Sequence, residues 1–210
     1  MYPVFLKLTG RRVLLVGGGQ VAAGKLAGLL ADGALVTVVA PEVRPELHQP
    51  GVAINQRPFV PADLDDVWYV VAAAPPAINK DVLDAAEHRH VFVNAVDDPA
   101  HASAYAGSVV RRAGVTIAFS TDGRAPALAG LLREALDAWL PADLDTWMVA
   151  SDAARREWKR SRVPMEERRP MLLETLNRLY EDKARDQLPI SNSQIPHHIP
   201  LASWELEVGI

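Results

Sequence analysis

The sequence predicts an α/β fold: a parallel sheet with helices on its faces, then a small α+β region and a C-terminal helical domain. Three observations predict it. Apolar strand runs alternate with helical patterns through the first half of the chain, which is the signature of parallel strands joined by crossover helices. After about residue 112 the alternation gives way to one strand and long helical stretches. The 210 residues are 49% hydrophobic, enough to bury at least one full core. The expected divisions are therefore 1–112, 113–145 and 146–210.

Taken in order, Arg12 to Val16 is an apolar strand that stops at Gly17-Gly18-Gly19, and a helical pattern, Val21 to Ala31, starts at once. In such a junction Gly17 permits a tight turn, Gly19 lets the backbone approach a pyrophosphate, and Ala22 is small enough for the helix to pack on the strand. Free N–H groups at the helix start then face the anion. The junction predicts a dinucleotide site, against the plainer reading of a tight turn with no ligand. Leu35 to Val39 is the second strand, with a short helix around Glu42 to Leu47. Val52 to Arg57 is a short strand, Trp68 to Ala73 a buried central strand, Ile78 to His88 a helix and Val91 to Val96 the next strand. Ligands of parallel sheets bind at the carboxyl ends of the strands, so Gly17 to Gly19, Ala73 to Pro76 and Asn94 to Pro99 converge on one crevice.

Val115 to Phe119 reads as a strand, Ser120 to Arg124 as a turn, and Pro126 to Leu140 as a helix with Leu128, Leu131, Leu132, Leu136 and Trp139 at helical spacing. A strand and one apolar helix make no core alone, so this region must dock on the first domain or on a second copy of the chain. Residues 142 to 185 look helical, broken in two by Pro164 and Pro170. The Pro-containing tail from Gln187 to Ile210 is expected to be extended or docked.

Composition excludes several classes. A net charge of −4 gives no global reason to expect nucleic acid as a partner. The absence of cysteine excludes disulfides, thiolate zinc sites and a cysteine nucleophile, and fits a reducing compartment. The first residues lack a charged segment followed by a long apolar one, and no apolar run approaches the ~20 residues that span a bilayer. No membrane association and a cytoplasmic location are expected.

The order Val-Gly-Gly-Gly-x-Val-Ala-x-x-Lys, Val-Thr-Val-Val-Ala-Pro-Glu, Val-Asn-x-Val-Asp-Asp-Pro and Ser-Thr-x-Gly-x-x-Pro-x-Leu-Ala-x-Leu-Leu-Arg-Glu resembles the precorrin-2 dehydrogenase family of sirohaem synthesis. Here these segments are Val16 to Lys25, Val36 to Glu42, Val93 to Pro99 and Ser120 to Glu134. The resemblance spans about residues 3 to 148. It implies a Rossmann-type NAD-binding domain, a dimerisation region over 113–145 and a small helical domain. It also implies NAD-dependent oxidation of precorrin-2 to sirohydrochlorin by a homodimer; some members also insert ferrous iron, which is then a further substrate. By the same resemblance Gln20 and Val21 meet the cofactor pyrophosphate, Pro41 and Glu42 lie near the adenosine ribose, and Asp97 is the catalytic aspartate.

The residues themselves support a narrower reading. Dehydrogenation sends a hydride to the cofactor and a proton to a base, and a carboxylate just beyond a strand end suits that base. Asp97 has this position, with turn capping before Pro99 as its alternative and the expected role of Asp98. Ser120, Thr121 and Arg124 are candidates for holding a substrate carboxylate, with capping of the following helix as the plainer role and Asp122 opposing an anion. Arg155, Arg156, Lys159, Arg160 and Arg162 form a basic cluster suited to a polycarboxylate tetrapyrrole, or to a solvated helix face. The histidines form no spaced metal motif, and no metal site is assigned; His101 is expected at a surface position, with a proton-carrying role as the alternative. Three departures from the family pattern stand out: Pro75-Pro76 after the Ala73-Ala74 pair, Ala104 to Gly107 in the loop beyond Pro99, and Asp122 in place of glycine. They leave open a dehydrogenase of a related tetrapyrrole, or a module that senses NAD without turnover. The absence of an arginine directly after Val39 favours NAD over NADP.

Overall fold

The computed structural model describes residues 2–186, in two compact units that divide at Pro141. In the first, β1 (Arg12–Val16), β2 (Leu35–Val39), β3 (Ala53–Asn55), β4 (Tyr69–Ala72) and β5 (Phe92–Ala95) form one parallel sheet in the order β3-β2-β1-β4-β5. Helix α1 (Gln20–Ala31) follows β1, and α2 (Pro76–Glu87) follows β4.

Alternation along β1 explains why the sheet is covered on both sides. Val13 and Leu15 join one core with Ala22, Leu26 and Leu29 of α1, while Leu14 and Val16 join the other with Val82, Ala85 and Ala86 of α2. β1 and β4 therefore read as unbroken apolar runs. Trp68 does not belong to the buried strand: it lies one residue before β4, is 58% exposed, and has the Arg11 guanidinium 3.8 Å above its ring.

The same unit continues through an antiparallel hairpin, β6 (Ser108–Arg112) and β7 (Val115–Phe119), and helix α3 (Pro126–Trp139). Strand β6 has no counterpart in the sequence reading. Its two-residue turn, Ala113-Gly114, has φ of 50° and 80°, the conformation that Asn-Gly usually announces, and alanine at the first position hides it. Arg112 fastens α3 to the hairpin by donating to the carbonyls of Leu140 and Asp137 at 3.0 and 2.6 Å and to the Asp137 carboxylate at 2.8 Å. It thereby satisfies carbonyls that the helix end leaves unpaired. Ala129 of α3 is buried, but Leu128, Leu131, Leu132 and Trp139 are exposed.

The second unit contains α4 (Leu144–Arg160) and α5 (Met165–Asp186). The expected break falls between them, where Arg162 adopts φ 54° ahead of Pro164. Pro170 does not break the chain, contrary to expectation: it lies inside α5, where only one ladder hydrogen bond near the helix start is forgone. Trp147 donates from Nε1 to the Tyr180 hydroxyl at 2.8 Å, which reaches Asp143 at 3.2 Å, joining the two helices. No helix among the described residues is long and apolar enough to cross a membrane. The tail from Gln187 to Ile210, with His197 and His198, lies outside the described residues.

Candidate functional site

Register brings the predicted segments to one sheet edge. Val16 pairs with Val39 and Ala72, and Ala72 pairs with Ala95, so the chain leaves β2, β1, β4 and β5 on the same side. Adjacent strands lie ~4.8 Å apart, so the loop beyond β5 stands ~10 Å from the glycine turn and ~14 Å from the loop beyond β2.

The three glycines have three different reasons. Gly17 has φ 124°, and a Cβ there would meet the Ala73 carbonyl oxygen at 2.2 Å. Its N–H donates to Val39 and Ala73 N–H donates to Val16, at 3.0 and 2.8 Å, pinning the turn between its neighbours. A Cβ on Gly18 would fall 1.8 Å from the Glu42 carbonyl oxygen, while the Gly18 oxygen accepts from Arg44 N–H at 3.0 Å. A Cβ on Gly19, by contrast, would meet nothing within 4 Å. The protein needs the first two as glycine for its own packing, whereas the space before Gly19 is open. Gly19 is the N-cap of α1, with no side-chain cap and no acidic residue in the first turn. The leading N–H groups thus face open space with no carboxylate of their own turn competing for them, which fits a pyrophosphate. Gln20 is exposed, as is Val21 at 47% despite being apolar, so neither is withdrawn into the core at this turn. Pro41 and Glu42, also exposed, follow β2 on the other flank.

On the far flank Asp97 has φ 57° and an exposed side chain, and no hydrogen bond to it is found among the described residues. Asp98 differs in every respect. Its carboxylate accepts from Asn79 Nδ2 at 3.1 Å and lies 2.9 Å from His101 Nδ1, the geometry of a ring N–H donor. These bonds hold its pKa below the ordinary carboxylate value, His101 contributing most and Asn79 next. Asp98 does not cap the turn through its side chain, as expected from sequence, but ties two elements together. His101 is half-buried and engaged rather than a free surface residue. Asn79, 1% exposed, accepts from Ala74 N–H at 3.2 Å and so links the end of β4 to the Asp97 loop. That loop is further stitched to β5, because Ser103 Oγ accepts from Val93 N–H at 2.9 Å and Asn94 Nδ2 donates to Ala104 at 3.1 Å.

The Pro75-Pro76 pair begins α2, with Pro76 at its first position, where a missing N–H costs nothing. Gly107 is pressed against β7: a Cβ there would lie 2.4 Å from the Phe119 oxygen. The Ser120 hydroxyl accepts from Asp122 N–H and the Thr121 hydroxyl from Ala125 N–H, both at 3.2 Å, so each closes its own turn before α3. Arg124 is exposed. This turn abuts the Asp97 loop, since a Cβ on Gly123 would touch Pro99 at 3.4 Å and Tyr105 at 3.6 Å. In the second unit, Arg160 pairs with Glu157 and Arg168 folds back onto the Val163 carbonyl, while Arg155, Arg156, Lys159 and Arg162 are exposed.

Sequence reasoning missed Asn79 and Gly18. Asn79 lies mid-pattern in a helix with its partner 19 residues on, and Gly18 looks like any middle glycine of a run.

A glycine turn with open space at its helix start, flanked by a carboxylate beyond β2 and another beyond β5, defines a dinucleotide-binding α/β protein of the Rossmann type. Residues 4–108 match the family model described as "Putative NAD(P)-binding". The chain belongs to this NAD(P)-binding family, and its resemblance to the precorrin-2 dehydrogenases and the corresponding module of the sirohaem synthases holds. It is 40% identical over 198 residues to a siroheme synthase of Photorhabdus laumondii, covering 92% of this chain and 41% of the relative. It is 41% identical over 170 residues to siroheme synthase 2 of Aeromonas hydrophila, covering 80% and 36%. The chain thus spans about two fifths of the length of these relatives. Among solved structures, SirC, a precorrin-2 dehydrogenase, superposes with a TM-score of 0.66 at 28% identity, covering 83% of this chain and 88% of that one.

Proposed function

We propose that this chain is an NAD-dependent dehydrogenase that oxidises precorrin-2 to sirohydrochlorin in sirohaem synthesis, acting in the cytoplasm as a homodimer. The observation that carries the reading is Asp97, an exposed carboxylate without a hydrogen-bond partner among the described residues, at the edge where β1, β4 and β5 end. Its neighbour Asp98 is consumed by Asn79 and His101, which leaves Asp97 as the group able to take a proton.

NAD, when bound, supplies the hydride acceptor. The leading N–H groups of α1, with Gln20 and Val21, would hold the pyrophosphate; Gly17 permits the turn, Gly19 leaves the anion room, and Pro41 and Glu42 would border the ribose. Asp97 takes the proton that leaves as the macrocycle loses its hydride, so both hydrogens are accounted for, one leaving as hydride with two electrons and the other as a proton. Ser120, Thr121 and Arg124 line the wall beside the Asp97 loop; with both hydroxyls engaged in turns, Arg124 is the residue to pair with a substrate carboxylate. The exposed apolar face of α3, with Leu128, Leu131 and Leu132, supports dimerisation, because a monomer gains nothing by leaving it in water.

The test is anaerobic: purified chain, enzymatically made precorrin-2 and NAD⁺, with NADH and sirohydrochlorin absorbance followed together. Both should appear in step. NAD⁺ binding without either signal above the spontaneous rate would replace the dehydrogenase with a sensing module or an enzyme for a related tetrapyrrole. Ferrous iron added as substrate to the product mixture then asks whether the chain also inserts it.

A further inference from the structure

We propose that Arg44 and Glu46 form a cofactor-selectivity device: Glu46 occupies the Arg44 guanidinium beside the ribose end of the dinucleotide site, so that the 2′-hydroxyl cofactor is preferred to the 2′-phosphorylated one. This rests on the dinucleotide reading above and concerns a pair of residues that the reading does not use.

Position comes first. The stretch from Glu42 to Arg44 is bound to the pyrophosphate turn through its backbone: Gly18 has no room for a Cβ because the Glu42 carbonyl lies there, and Arg44 N–H donates to the Gly18 oxygen at 3.0 Å. In sheets of this kind the adenosine ribose lies just past the second strand, where a carboxylate takes its hydroxyls and a nearby arginine accommodates a 2′-phosphate. Both residue types occur here, two positions apart, as exposed Glu42 and exposed Arg44.

Arg44 is already engaged. Its Nη2 lies 2.8 Å from Glu46 Oε1 and its Nε 3.3 Å from Oε2, the two-point fork by which arginine also grips a phosphate. The surrounding loop is fixed in place. Pro45 starts a 3-10 turn over Pro45–Leu47, the His48 ring lies 3.3 Å from the Arg44 oxygen, and Gln49 Nε2 donates to the Glu46 oxygen at 3.1 Å. The mutual influence is visible in both partners, since each raises or lowers the other's pKa toward the charged state.

Charge gives the sign. Glu42, Arg44 and Glu46 together carry −1, which a ribose diol tolerates and a 2′-phosphate dianion does not. Because both side chains are about half exposed, the pair is soft and screened by salt, and the preference it creates is about fivefold rather than absolute.

The experiment is calorimetric titration of NAD⁺ and NADP⁺ into the full chain at low ionic strength, for the natural protein, Glu46→Gln and the double variant Glu46→Gln/Arg44→Ala. The ratio of the two dissociation constants should favour NAD⁺ in the natural protein, move about fivefold toward NADP⁺ in Glu46→Gln, and return in the double variant. NAD⁺ binding with an unmoved ratio in Glu46→Gln, a natural preference for NADP⁺, or a shift that persists without Arg44 would each overturn the device alone. Binding of neither dinucleotide by the natural protein would overturn both the device and the reading beneath it.

Discussion

Gly17 and Gly19 differ in what surrounds them, and substitutions should separate the two demands. Alanine at 17 meets both a φ of 124° and a carbonyl at 2.2 Å, so Gly17→Ala should lower Tm by several degrees whether or not cofactor is present. Alanine at 19 meets no protein atom, so Gly19→Ala should leave the apo-protein Tm within ~2 °C yet weaken NAD⁺ about tenfold by calorimetry, through the approach distance of the pyrophosphate. Asp97→Asn should lower kcat by about 10²- to 10⁴-fold with NAD⁺ affinity retained, as expected of a proton acceptor that does not touch the cofactor's anchoring end. Asp98 gives a different signature. Its folded pKa is depressed, so its contribution to stability is present above the ordinary carboxylate value and is lost as pH falls through the lower folded value. His101→Ala and Asn79→Ala should each flatten the acid limb of a Tm–pH profile below about pH 4; an unaltered limb would show that Asp98 is not held by them.

At the scale of elements, β4 makes the opposite pH statement. Burial pushes the Tyr69 phenol up to about 12, so its stabilisation is complete below pH 10 and lost as pH rises through about 12. Tyr69→Phe should therefore extend the alkaline limit of the fold, read by circular dichroism between pH 9 and 12. The elements also show which physics is legible in a sequence. Strands β1 and β4 announce themselves because burial on both faces makes Val13 to Val16 and Tyr69 to Ala72 continuously apolar, β2 and β5 are apolar but for Thr37 and Asn94, and α1 and α2 follow from the crossovers that parallel strands require. Strand β6 stays hidden because Ala113 occupies a left-handed position that ordinarily goes to asparagine or aspartate. The site divides in the same manner. Local demands such as the glycine turn are written in adjacent residues, whereas the roles of Asn79, Asp98 and His101 depend on pairing across 19 and three positions, which no local pattern encodes.

At the scale of the whole molecule, the exposed row on α3 sets the expected assembly. Leu131 is 64% exposed, so Leu131→Glu should not disturb the folded chain yet should reduce the light-scattering mass from twice the chain mass to 22.9 kDa; a mass unaffected by the change would exclude α3 as the contact. The relatives are longer, this chain spanning about two fifths of their length. The chain of bonds from Ala74 through Asn79 and Asp98 to His101 has a bearing on how such a module can drift over generations. Exchange of any one of the three side chains strands a partner, Asn79 being nearly inaccessible to water, so a lineage passes through a less stable intermediate unless a second exchange follows. These positions should therefore be inherited and replaced as a set, while Asp97, which leans on no side chain among the described residues, answers to chemistry alone.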